Sequence, residues 1–320
     1  MEKKRSIDIS KFLSKYSLFI ILIVMMIICG LANENFLTPN NLMNVAKQQT
    51  VIILLALGAM LLISSGCLDL AAGSNLALAS VIALYAYKAV PNVLVAFGTA
   101  ILVAVVCNLV SGAMVTAFGT PPFIATLAVQ LMARGLALYI TQGQNQSGVG
   151  EDLAVIGQGS SLGIPNSVYI TLIFILLIVY LTKQMRLGRS VFAVGGNEEA
   201  ANASGLNVKA VKMKVYAING VLTGVAATIW LSRVNSAMPN GGVSYEFDAM
   251  IATIVGGTSF SGGVGSAVGT VAGAFIVGFL NNVMNLMGID SYLQQVVRGV
   301  IIGGAVIWDL YFKNRKGTKK

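Results

Sequence analysis

The clearest chemical signal in the chain is a short polar segment near its middle that is suited to binding another protein. Residues 195–208 read GGNEEAANASGLNV. Asparagine caps helix N-termini, carboxylates suit the positive end of a helix, alanine favours helix and glycine ends it. The segment therefore predicts a helix of about two turns at 3.6 residues per turn. Its candidate residues are Asn197, Glu198, Glu199, Ala200, Ala201 and Gly205.

The composition of this short helix predicts close approach by a partner. Alanine and glycine add little bulk, so another surface can come near the backbone. The two carboxylates and the basic residues on either side, such as Arg189 and Lys209, provide charges that a partner can complement. We expect the helix to be a docking element outside the membrane.

A second group of polar residues lies in or beside apolar stretches. Asp69 sits between two such stretches, where an acid either serves transport or caps free backbone N–H groups. Asn281, Asn282 and Asn285 lie on a late apolar stretch, and Asn281 and Asn285 share a helix face. These amides would either line a translocation pathway for a hydroxyl-rich solute or tie helices together. Both interpretations remain open for each site.

Glu246 and Asp248 are expected outside the membrane, after an apolar span. There they would contact a delivering protein, since external charges set how such a protein docks. They are equally explained as solvated loop charges, with Asp248 stabilising a helix N-terminus.

The remaining chemistry of the chain points away from enzymes. There are three Cys and no His, so a transition-metal site is not expected. No GxxxxGK[ST] phosphate loop and no nucleophile–base pair is present, and we expect no catalytic residues, metal or cofactor. The net charge of +9 does not indicate nucleic acid, because the basic residues flank apolar spans.

The elements that position these residues are transmembrane helices. The chain of 320 residues is 56% apolar and 10% charged, whereas soluble domains carry about 25% charged residues. We expect one all-α polytopic membrane domain at residues 16–311 between basic tails at 1–15 and 312–320. The apolar stretches predict ten spans, at about 16–32, 50–66, 73–90, 93–118, 122–140, 168–182, 215–231, 249–257, 268–288 and 292–310.

Sixteen of the 21 Lys and Arg residues fall in residues 1–15, 183–214 and 313–320. Short basic loops stay in the cytoplasm, so both termini and the loop 183–214 are expected there. The loops 141–167 and 232–247 are expected outside. Ten spans agree with this placement, although residues 248–257 would break the parity if they only re-enter the membrane. The first span resembles a signal peptide, but its length favours a retained helix.

Two glycine-rich breaks suggest an internal repeat. Residues 64–74 read SSGCLDLAAGS and residues 256–266 read GGTSFSGGVGS, and each leads into an apolar stretch. Ser74 and Ser266 are candidate N-caps of the helices that follow. Interrupted hydrophobic segments at matching positions point to a transport pathway, although glycine-rich membrane proteins also show such pairs by chance.

Several segments together resemble one family. Glu199-Ala200-Ala201 followed by Gly205 is similar to the EAA-type loop of ABC importer permeases. The segments LDLAAGS, PFIATL, GGNE, GGTS and GFLNN, with NFLT before the second span, resemble the ribose/galactose-type monosaccharide ABC permeases. The first of these departs from the family at Ala71, where Ser is usual. The resemblance covers residues 35–309.

This resemblance implies a bacterial cytoplasmic membrane permease that imports a monosaccharide, with ribose as the first candidate. It implies three protein partners: a cytoplasmic ATP-binding subunit, an extracytoplasmic sugar-binding protein, and a second permease chain that is either a copy or a paralogue. The short helix would then be the element that couples to the ATP-binding subunit. A galactoside, xylose, inositol or a furanose signal remains an alternative substrate. A self-sufficient secondary carrier is a further alternative, with Asp69 as its main titratable candidate.

Overall fold

A computed structural model describes residues 9–317 of the chain, and nearly all of its regular structure is helical. One small antiparallel pair of strands, β1 (Ser160–Ser161) with β2 (Ile164–Pro165), lies in a loop. Within the described residues the helices are α1 (Ile9–Ala32), α2 (Pro39–Ser64), α3 (Ala72–Ala89), α4 (Val93–Thr116), α5 (Pro122–Thr141), α6 (Glu151–Gln158), α7 (Asn166–Gln184), α8 (Arg186–Gly196), α9 (Glu198–Ala203), α10 (Val208–Val234), α11 (Tyr245–Val255), α12 (Ala267–Leu286) and α13 (Ser291–Gly317).

The all-α polytopic prediction is confirmed. Six helices of the described chain are long and apolar enough to cross a membrane: α2, α4, α5, α7, α10 and α12. Each of the ten predicted spans coincides with a helix. The helix α11 has 11 residues, about 16 Å at 1.5 Å per residue, which is too short to cross a bilayer core.

The outer parts of the predicted tails lie outside the described residues. This applies to residues 1–8 of the tail 1–15 and to residues 318–320 of the tail 312–320. Inside those predicted ranges, α1 already begins at Ile9 and α13 continues to Gly317.

The helices α2 and α10 form the centre of the bundle. In each, 83% of the most apolar window is buried, against 22% in α4 and 17% in α7. Large apolar side chains on the outer helices remain exposed, as expected of surfaces that face lipid, for example Leu102 and Leu176.

Glycines allow the two helices α10 and α4 to pack backbone against backbone. A Cβ added at Gly220 would lie 2.6 Å from Cα of Val105, and one added at Gly224 would overlap Cα of Ile101. Small residues at such contacts are how membrane helices approach closely, because lipid gives no hydrophobic force that drives helices together. This packing fixes the position of α10, which carries several polar residues described below.

Candidate functional site

The loop between α7 and α10 contains two helices, α8 and α9, and the second is the predicted docking element. Asn197 caps α9 as predicted, since its Oδ1 accepts a hydrogen bond from the backbone N–H of Ala200 at 2.9 Å. The helix ends at Ala203, and Gly205 follows with a φ of +82°. A glycine can adopt this left-handed backbone without strain, so it lets the chain turn back towards α10.

The side chains of α9 divide between an anchored face and an exposed face. Ala201 is buried against the bundle, whereas Ala200 and Glu199 are exposed. Glu198 accepts a hydrogen bond from Nζ of Lys212 on α10 at 2.6 Å, and this ion pair ties α9 to the bundle. The predicted docking residues therefore lie close together, four on α9 and Asn197 and Gly205 at its two ends, but Ala201 faces the bundle and is not available to a partner.

An open cleft runs alongside α9. Its volume is about 820 Å³. The residues that line it are Glu198, Glu199, Asn202, Gly205, Leu206, Asn207, Val208 and Lys209. Its lining carries two carboxylates and one lysine, so a partner that fills the cleft can be matched in both shape and charge.

Asp69 is the centre of a buried hydrogen-bond network. Only 5% of the residue is exposed. Its Oδ1 accepts a hydrogen bond from the backbone N–H of Ala71, and its Oδ2 accepts one from the amide of Asn219, both at 2.7 Å. Asn219 also donates to Oδ1 of Asn108 at 2.7 Å. The network joins the break before α3 to the helices α10 and α4.

The three predicted asparagines of α12 have different surroundings. Asn282 forms a reciprocal pair of amide hydrogen bonds with Asn41 on α2, at 2.8 and 3.0 Å. Asn285 accepts a hydrogen bond from Gln294 on α13 at 2.9 Å. The Oδ1 atom of Asn281 is buried and has no hydrogen-bond partner within the described residues. Two of the three therefore tie helices together, and only Asn281 has an uncommitted oxygen.

Glu246 and Asp248 are buried and so are not solvated loop charges, although both lie in the first turn of α11, as the second interpretation expected of Asp248. They are 5% and 4% exposed, because the chain before α11 enters the bundle. A Cβ at Gly73 on α3 would overlap the Gly242 carbonyl oxygen and lie 2.6 Å from Oε2 of Glu246. Asp248 faces Arg298 of α13, with Oδ1 3.4 Å from Nε. Side chains enclosed in this way do not present a surface to a delivering protein.

Sequence reasoning missed Asn219 and Asn108, and it treated Lys212 only as one of the basic residues flanking the short helix, not as the partner of Glu198. The signal for the two asparagines is a single amide within a long apolar stretch, which in a bilayer must find a partner. Lys212 lies in a basic loop whose charge is already explained by its expected cytoplasmic location. The sequence alone therefore does not indicate that Lys212 pairs with Glu198. Within the described residues, no group of three His, Cys, Asp or Glu side chains could hold a metal ion.

Comparison with known proteins gives consistent relatives over almost the whole chain. The family described as branched-chain amino acid transport system / permease component matches residues 41–306. The ribose import permease protein of Haemophilus influenzae is 37% identical over 98% of this chain and 97% of its own length. That of Escherichia coli K12 is 40% identical over 91% and 92%, and that of Bacillus subtilis 39% over 96% and 96%. No solved structure matches the chain.

Proposed function

This chain belongs to the ribose/galactose-type monosaccharide permeases of ABC transporters, and we propose that it is the membrane-spanning subunit that imports ribose into the cytoplasm. The observation that carries the proposal is the identity of 37–40% to ribose import permeases along nearly the full length of both chains. The chain itself moves the sugar, and a separate subunit hydrolyses ATP. A galactoside, xylose, inositol or a furanose signal is the alternative cargo.

The proposed topology has ten spans with both termini in the cytoplasm of a bacterial cell. It is supported by the three basic segments, which share one side only when the number of crossings between them is even. The helix α11 is too short to cross by itself. The crossing is completed if the segment before it, which reaches Gly73 inside the bundle, counts as part of the same span.

Three partners follow from this function. A cytoplasmic ATP-binding subunit supplies the energy, an extracytoplasmic sugar-binding protein delivers the substrate, and a second permease chain completes the channel. The second chain is either a copy of this one or a paralogue. The lipid bilayer surrounds the outer helices, whose large apolar side chains are exposed in the single chain.

We assign coupling to the ATP-binding subunit to α9 and the residues that shape it. The support is threefold: Glu199 and Ala200 are exposed on the side of α9 away from the bundle, Asn197 caps the helix, and the chain turns at Gly205. The open cleft beside α9, of about 820 Å³, provides a concave surface that a partner can fill.

For the translocation pathway, the contacts favour Asn281 among the four candidates Asp69, Asn281, Asn282 and Asn285. Its Oδ1 is buried with no partner in the described part of the chain, so it keeps an unused acceptor for a sugar hydroxyl once the helices around it part. The hydrogen bonds of Asp69, Asn282 and Asn285 are committed to other parts of the fold.

The test is uptake of a labelled sugar panel, ribose included, in cells that lack the gene and in complemented cells. We expect ribose uptake to be lost without the gene and restored with it. Loss of uptake of another sugar, with ribose uptake unchanged, would change the assigned substrate but still support the importer function. Unchanged uptake of every sugar, in cells with no second system for them, would overturn the proposal.

A further inference from the structure

The two glycine-rich breaks of the chain meet each other directly, at the end of the bundle where α8 and α9 lie. The backbone N–H of Gly263, in the break between α11 and α12, donates a hydrogen bond to the carbonyl oxygen of Ser64 at 3.0 Å. Ser64 is the last residue of α2, where the other break begins. Ser64 Oγ also donates to the carbonyl oxygen of Val264 at 3.5 Å.

The end of α8 lies against this hydrogen bond. A Cβ added at Gly195 would overlap the carbonyl oxygen of Ser64 and would lie 2.8 Å from the backbone nitrogen of Gly263. The contact is therefore backbone against backbone and leaves no room for a side chain. We call Ser64, Gly195 and Gly263 the glycine junction.

Neighbouring glycines show that this contact is specific to one position of α8. A Cβ added at Gly196 would come no closer than 3.9 Å to the rest of the chain, at Cα of Gly263. That distance is an ordinary van der Waals contact. An alanine can therefore be placed at Gly196 without strain, whereas at Gly195 it must push the two breaks away.

The junction is also connected to the docking helix. Gly195 lies in the last turn of α8, and only Asn197 separates α8 from α9. The ion pair between Glu198 and Lys212 fixes the start of α9 to α10. A displacement of α9 therefore reaches α8 through the covalent chain, and the glycine junction is where α8 touches both breaks at once.

We propose that Gly195 is a positioning residue for transport. Because it has no side chain, α8 contacts both breaks at the same point, and a movement of α9 therefore shifts the start of α3 and the start of α12 as one unit. This inference rests on the proposed function, because it takes α9 as the element that the ATP-binding subunit moves. Close-packed elements transmit such small shifts because their packing does not deform continuously.

The first test compares Gly195→Ala with Gly196→Ala. The permease is reconstituted with its ATP-binding subunit and sugar-binding protein, and ribose taken up per ATP hydrolysed is measured. We expect Gly195→Ala to keep ATP hydrolysis and to lower the uptake per ATP by about fivefold or more, a coupling change of about 1 kcal/mol. Gly196→Ala should leave the ratio unchanged. Equal ratios for the two variants would overturn the inference.

A second test does not depend on how Gly195→Ala folds. A Cβ at Gly265 would overlap Oγ of Ser64, so Ser64→Cys with Gly265→Cys is within disulfide reach. In a background without the three native cysteines, we expect the oxidised pair to retain uptake, since the two breaks move together. Uptake that is lost on oxidation and restored by a thiol reductant would overturn the inference. Failure of the proposed function would instead appear as absent ribose uptake in the unmodified protein.

Discussion

Replacing Asp69 tests whether its carboxylate stabilises the fold or takes part in transport. In the structure its two carboxylate oxygens accept hydrogen bonds from the backbone N–H of Ala71 and from the amide of Asn219. Asp69→Ala removes both acceptors and leaves two buried N–H groups unpaired, that of Ala71 and one of the two on the Asn219 amide; the other still donates to Asn108. Asp69→Asn keeps one oxygen but turns the other into an NH2 group, so one donor of the fold loses its acceptor and the new amide is a second buried donor without one.

The magnitude follows from the number of stranded donors. A hydrogen bond to a charged group contributes about 1.5–3 kcal/mol in soluble proteins, whereas interhelical bonds in bilayers contribute about 0.6–1.7 kcal/mol. We therefore expect Asp69→Ala and Asp69→Asn each to lower the free energy of unfolding by about 2–4 kcal/mol.

Asp290 provides a matched control. It is exposed, and its Oδ1 accepts a hydrogen bond from the backbone N–H of Tyr292 at 2.7 Å, the same two-residue spacing as in Asp69 and Ala71. It lacks the buried amide partner. Asp290→Ala should therefore cost about 0.5–1 kcal/mol, the lower range for replacing such a capping side chain.

The assay is unfolding of the purified permease in mixed micelles with increasing sodium dodecyl sulfate, together with sugar uptake by the same variants. We expect uptake to fall in step with the amount of folded protein in the membrane. A structural role for Asp69 would be excluded if Asp69→Ala unfolded like Asp290→Ala and its uptake was nevertheless abolished. Asp69 would then belong to the translocation pathway.

Three further outcomes are expected. Glu199→Lys combined with Gly205→Arg should abolish uptake, because both positions are exposed on the side of α9 that faces away from the bundle. It should lower the free energy of unfolding by only about 1–2 kcal/mol, the strain of a side chain at the left-handed backbone of Gly205. Intact uptake would contradict the coupling assignment. Gly224→Val should lower the free energy of unfolding by about 3 kcal/mol, since any side chain there overlaps α4, whereas Gly299→Val, which has open space around it, should change it little. Asn282→Ala should cost about 1 kcal/mol in the same unfolding assay by removing the amide pair with α2.

Local signals in the sequence predicted the helices well. The positions of all ten spans correspond to helices, and Asn197 and Ser266 cap the helices that follow them, with Oγ of Ser266 accepting from the N–H of Gly269 at 3.1 Å. The cap predicted at Ser74 is wrong, because α3 already begins at Ala72. The Asp69 side chain holds the backbone of Ala71, so the break is shorter than its composition suggests.

Contacts between distant parts of the chain were not predictable from the same signals. Asp69 and Asn219 are 150 residues apart, and no periodicity links them. Glu246 and Asp248 follow a polar segment that reads as an external loop, yet they are buried. Burial of Asp248 is possible because Arg298, on another helix, lies beside it, and a charge pair of this kind is visible only after folding.

The most direct test of the account is ribose uptake into proteoliposomes that contain the permease, assembled with and without each partner. We predict that uptake requires ATP, the ATP-binding subunit and the sugar-binding protein together, and that omission of any one abolishes it. Uptake by the permease alone, driven by an ion gradient and independent of ATP, would contradict the account and identify a secondary carrier.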